Sequence, residues 1–127
     1  MNIDELRERL DALFPQLVDE LSQLVAIPSV SSDPSHAADV DRSAEHIRSR
    51  FEALGLDAQI HSVTTPEGVQ GKPAILARSP HIEGAPTVLL YAHHDVQPTG
   101  DLARWHSDPW TTVVKGDRIY GRGTSDD

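Results

Sequence analysis

The chain has 127 residues, 38% hydrophobic and 24% charged, which suits one domain with a packed core and excludes wholesale disorder. Its formal net charge of −9 argues against a nucleic-acid footprint, which needs clustered Lys and Arg, and suits cation binding or plain solubility. With no cysteine, a disulfide scaffold, a thiolate zinc site and a cysteine nucleophile are excluded, so any metal must rest on His, Asp or Glu.

Residues 4 to 26 carry a helical pattern. Leu6, Leu10, Leu13, Leu17, Leu21 and Leu24 recur at spacings of three and four and share one face. Asp4 and Glu5 fall in the first turn, where the helix dipole favours them. Asp11, Asp19 and Glu20 read as the wet face. Pro15 removes a backbone donor and is expected to kink or split this helix. The Ser- and Pro-rich run IPSVSSDPSH, residues 27 to 36, is a loop. A second helix is predicted from about Ala38 to Leu54, with Val40, Ala44, Ile47, Phe51 and Leu54 as its stripe and Gly55 at its end.

The period then changes from helix to strand. Ala58, Ile60 and Ser62 alternate with Gln59, His61 and Val63, and PAILAR at 73–78 reads as a second strand after the turn PEGVQGKP. After a loop at 80–86 comes TVLLYAHHD, residues 87–95. Its apolar residues are continuous, as in a strand buried on both faces. Residues 111–115 and 118–121 are predicted as two strands joined at Lys115-Gly116-Asp117. The order suits an α/β layer architecture. No apolar run approaches the ~20 residues of a membrane span, and the opening MNIDELRERL lacks a secretory apolar stretch. These features read as a soluble cytoplasmic protein that engages neither nucleic acid nor membrane.

Two segments carry candidate chemistry. In Tyr91-Ala92-His93-His94-Asp95-Val96-Gln97-Pro98, strand alternation points His93 and Asp95 to one side and His94 to the other. A carboxylate beside an imidazole fixes its tautomer and leaves one ring nitrogen for a metal. The plainer reading is a strand-end His with a solvated Asp. In Tyr120-Gly121-Arg122-Gly123-Thr124-Ser125-Asp126-Asp127, two glycines give a tight backbone path before two carboxylates. Such a carboxylate can bridge two cations. The plainer reading is a Gly-rich turn with a solvated acidic end. A dinucleotide fingerprint fails, because its third glycine would fall at Asp126.

Taken together, YAHHDVQP and YGRGTSDD, with WHSDPW between them, resemble the co-catalytic zinc metallopeptidase family of carnosinase, bacterial dipeptidases, aminoacylase and succinyl-diaminopimelate desuccinylase. The Val-Gln-Pro and Asp-Pro-Trp forms look closest to its carnosinase and dipeptidase branch. The opening helix and Ile-Pro-Ser-Val also fit, so the resemblance spans the chain. It implies the N-terminal part of an α/β, mixed-sheet catalytic domain with flanking helices (phosphorylase/hydrolase-like). Residues 1–127 are one portion of it, and the rest of that domain and a dimerisation or lid domain are absent.

The resemblance also implies site roles. His93 is a ligand of one zinc, Asp95 orients and tunes His93, and Asp126 bridges two zincs. The Asp126–Asp127 peptide bond is cis in relatives. Ala92 stands where glycine is frequent and His94 where relatives often have Tyr, and His94 is not assigned as a ligand. The remaining ligands and a Glu general base are expected beyond residue 127, so the chain alone is expected to be inactive and to be a piece cut in mid-motif. The complete enzyme is expected to be a homodimer. In it two zinc ions activate a water against the scissile carbonyl of a dipeptide or short peptide, while a Glu moves the proton to the leaving amine. His and carboxylate ligands also admit Co or Mn. Alternatives are an N-acyl amino acid deacylase of the same fold, or a non-catalytic piece acting through self-association. His106 reads as a surface or packing residue, Trp105 and Trp110 as loop packing, and His36, His46, His61 and His81 as solvated.

Overall fold

A computed structural model describes residues 2–125. Helix α1 runs Ile3–Val25 and starts on a capping box. The Asn2 side chain accepts from the backbone N–H of Asp4 and Glu5, and Glu5 Oε2 accepts from Asn2 N at 3.0 Å. Pro15 lies inside α1 without splitting it. The bond it removes would have gone to the Asp11 carbonyl, and Asp11 is exposed, so solvent can reach that oxygen.

The leucine stripe exists, but most of it meets no partner here. Leu6, Leu10, Leu13 and Leu17 are exposed, Leu21 and Leu24 are half-buried, and Val25 is buried. Glu20 departs from the wet-face reading. It is partly buried, accepts from Gln16 Nε2 at 2.7 Å and pairs with Arg50 of the second helix.

The loop after α1 turns inward, burying Ser29 and Val30, and a single 3-10 turn at Pro34–His36 leads into helix α2, Ala37–Ala53. Asp33 caps that turn through Ser35 N at 2.9 Å. His36 is not simply solvated, since its Nδ1 lies 2.6 Å from Asp39 Oδ2. The α2 stripe largely holds. Val40 and Ala44 are buried and Ile47 and Phe51 half-buried, while Leu54, past the end of α2, is exposed.

Strands β1, Asp57–His61, and β2, Ala74–Arg78, pair antiparallel from Asp57↔Arg78 to His61↔Ala74. α2 packs on this pair and buries Ala58. Strands β3, Val113–Lys115, and β4, Arg118–Tyr120, form a second antiparallel pair across Gly116-Asp117. Helices and two-stranded sheets together make the expected α/β frame.

One expectation is overturned within this chain. Residues 87–95 form no strand, and Val88, Leu89, Leu90 and Tyr91 are 75%, 85%, 88% and 86% exposed. A strand exists only through hydrogen bonds to neighbours, and none of the described strands pairs with this segment.

Candidate active site

The site grows from the loop after α1. Val96 N donates to Ser29 O at 3.0 Å, and Ser29 Oγ donates to His94 O at 2.9 Å. Ser43, on α2, adds a hydroxyl 3.3 Å from the same carbonyl. Residues 94–96 are thus clamped by a buried turn and a buried helix position although they form no sheet.

The side chains separate as alternation predicted, even without the strand. His94 turns to the interior. Its Nε2 lies 3.1 Å from the Pro73 carbonyl, which can only accept, so Nε2 carries the proton. Nδ1 is then the acceptor facing Ser43 Oγ at 3.1 Å. Both ring nitrogens are committed to the frame.

His93 and Asp95 face each other. His93 Nδ1 is 2.9 Å from the Asp95 backbone carbonyl and 3.4 Å from its Oδ1. A carbonyl requires a donor, so Nδ1 bears the hydrogen and the ring's lone pair sits on Nε2, the form a metal ligand needs. The atom nearest to Nδ1 is a backbone oxygen that sequence alone did not point to, and the carboxylate oxygen lies farther off.

The Ser31 hydroxyl donates to Asp95 Oδ2 and is the main cause holding the Asp95 carboxyl below its usual range. Partial burial opposes this, and the neighbouring imidazoles assist it. Asp95 is therefore ionised throughout the neutral range. A depressed folded-state value means the stabilisation is present above the ordinary carboxylate pKa and is lost as pH falls through the lower, folded one.

The second segment docks on the first. Gly123 has φ +87°, and a Cβ there would lie 2.7 Å from Val96 Cγ1. Only glycine accommodates both the left-handed backbone and that approach. A Cβ at Gly121 would lie 3.0 Å from Val25 Cγ1. Between them Arg122 donates its N–H to Pro109 O at 2.8 Å and stacks its guanidinium 5.3 Å from the Trp105 ring centre. Trp105 Nε1 in turn donates to Thr99 O at 2.9 Å, and Asp108 Oδ1 accepts from Trp110 N at 3.0 Å. The loop-packing reading of Trp105 thus agrees with its contacts. His106 is exposed.

A pocket of about 100 Å³ lies where the segments meet, lined by His93, Asp95, Arg122 and Gly123, with Leu24 and Val25 on the helix side. Asp126 and the Asp126–Asp127 bond lie outside the described residues. Among the described residues no three His, Asp or Glu side chains gather closely enough to hold a metal. His93 with Asp95 fits one ligand position of such a centre and its support.

Ser29, Ser31, Ser43 and Arg122 went unassigned at the sequence level. The available signal was the serine run following Ile27-Pro28, but serines in loops are usually solvated, and the partners of these lie far along the chain.

Residues 89–127 match the model of peptidase family M20/M25/M40. The Cys-Gly metallodipeptidase of Schizosaccharomyces pombe is 34% identical over 132 aligned positions, covering 100% of this chain and 28% of that protein. Among solved structures, the dipeptidase Dug1p of Saccharomyces cerevisiae superposes with a TM-score of 0.85 at 31% identity, covering 94% of this chain and 27% of that one. Human carnosine dipeptidase 1 gives a TM-score of 0.84 at 26% identity, covering 99% and 28%. The chain therefore spans little more than a quarter of the length of these relatives. Motif, backbone and alignment along the whole chain agree, and the chain belongs to peptidase family M20/M25/M40.

Proposed function

We propose that the protein carrying this chain is a metal-dependent exopeptidase that hydrolyses dipeptides or short peptides. The observation that carries this reading is the His93–Asp95 pair. A ring whose Nδ1–H is held by a backbone oxygen presents Nε2 beside a pocket walled by the Gly121–Gly123 turn. That turn leads into Asp126, the proposed second, bridging ligand, which lies outside the described residues.

The proposed cofactor is a pair of zinc ions, which when bound supplies Lewis acidity and a water of lowered pKa. This chain's residues do the supporting work. His93 offers Nε2. Asp95 stays ionised and would favour the charge that a metal on Nε2 draws out of the neutral ring. The glycine turn docks against Val96, next to the His93–Asp95 segment. The 127 residues alone are proposed to be inactive, because a catalytic zinc needs about three protein ligands and this chain offers His93 and Asp126. Homodimerisation of the complete enzyme belongs to the same proposal and rests on the family resemblance.

The test is hydrolysis by the complete protein, loaded with Zn, Co or Mn, of dipeptides against N-acyl amino acids. Cys-Gly, named for the fission-yeast relative, is the first substrate to try. Cleavage of dipeptides is expected. Cleavage of N-acyl amino acids instead makes it a deacylase, and cleavage of neither with metal bound removes the enzyme reading.

A further inference from the structure

We propose that Ser31 is a positioning residue for the metal-binding histidine, acting through Asp95. This rests on the metal-site reading above. The Ser31 hydroxyl donates to Asp95 Oδ2, and the other oxygen, Oδ1, lies 3.4 Å from His93 Nδ1. The carboxylate thus spans two side chains, one anchored and one functional.

The anchor is rigid. Ser29 and Val30, just before Ser31, are buried, and Ser29 binds residues 94–96 through its hydroxyl and its carbonyl. Ser31 therefore sits at a fixed distance from Asp95. The Asp95 side chain, in contrast, is 40% exposed, so solvent competes for it. Without the hydroxyl the carboxylate keeps only a local bond from its own backbone, so it turns more readily toward water and away from the ring. The backbone carbonyl of Asp95 still sets the tautomer, so Ser31 governs the orientation and basicity of His93 rather than its protonation pattern. Removing such supporting groups typically lowers metal affinity about 10- to 100-fold.

The test uses the full chain, isotope-labelled, as the unmutated protein, Ser31→Ala and Ser31→Thr. Three-bond couplings report the Asp95 rotamer, and the His93 Nε2 resonance follows titration with Zn(II) alone. One Asp95 rotamer is expected in the unmutated chain and in Ser31→Thr. Rotamer averaging is expected in Ser31→Ala, with zinc affinity at His93 lowered about 10- to 100-fold and restored by Thr. An Asp95 rotamer unchanged in Ser31→Ala overturns the proposal. So does unchanged zinc affinity in Ser31→Ala where the unmutated chain responds to zinc. If Ser31→Ala does not fold, the unmutated chain decides: a single rotamer with a slowly exchanging Ser31 hydroxyl supports the proposal, and averaging overturns it. Silence of His93 toward zinc in the unmutated chain counts against the metal reading, while the rotamer comparison still judges Ser31.

Discussion

Ser43 has one hydroxyl proton and two acceptors of the same residue to serve, the His94 carbonyl at 3.3 Å and the His94 ring at 3.1 Å. Together with the Pro73 carbonyl this makes His94 a cross-link between α2, the start of β2 and the site loop. Neighbouring His93 is the more exposed of the two, although both line the pocket. Two adjacent histidines therefore have opposite duties. His94→Ala takes the ring donor from the Pro73 carbonyl in a partly buried place, while Ser43 keeps the residue-94 carbonyl, and is expected to cost about 1–3 kcal/mol of stability. His93→Ala is expected to stay within about 0.5 kcal/mol while abolishing zinc binding at this position. Urea unfolding and zinc titration of the two variants check this contrast, and a stability loss confined to His93→Ala would refute it.

At the scale of elements, the β3–β4 hairpin and the turn that follows reach the site through one close approach. Gly123 combines φ +87° with a would-be Cβ only 2.7 Å from Val96 Cγ1. Gly123→Ala is expected to destabilise by about 1–3 kcal/mol through backbone strain and displacement of Val96. It should also move the Val96 methyl resonances. Adding Val96→Ala removes the clash but not the strained backbone, so it should restore only part of the loss. Full recovery in the double variant would show that the left-handed conformation costs nothing. The helices are joined less firmly. Glu20 and Arg50 link α1 to α2 with side chains 25% and 40% exposed, and such partly solvated pairs contribute little.

The whole molecule shows how much of its apolar surface lacks a partner. A compact monomer of 13.9 kDa exposes about 6,700 Å². This chain exposes 9747 Å², and the excess includes Val88, Leu89, Leu90 and Tyr91 and the outer half of the α1 stripe. An unpaired apolar segment and an uncovered helix face favour association. The 127-residue chain is therefore expected to self-associate with rising concentration in sedimentation velocity. Leu89→Lys with Tyr91→Lys should reduce that association while keeping the helical circular dichroism. A monomer at every concentration would contradict the expectation.

Local patterns were enough for much of this protein. Leucine spacing, the first-turn acids, Gly55, alternation near Ala58 and the Lys115-Gly116-Asp117 turn located two helices and four strands, because capping and periodicity are short-range effects. The paired segments around His93 and Gly123 identified the family for the same reason, since metal and turn chemistry demand particular residues at fixed spacing. Tertiary structure alone decided the rest. Whether residues 87–95 form a strand depends on neighbours that local sequence does not encode. Ser31 acquires its role from a carboxylate 64 residues away, and Glu20 its burial from an arginine 30 residues away. Both depend on chain closure, which no local period records.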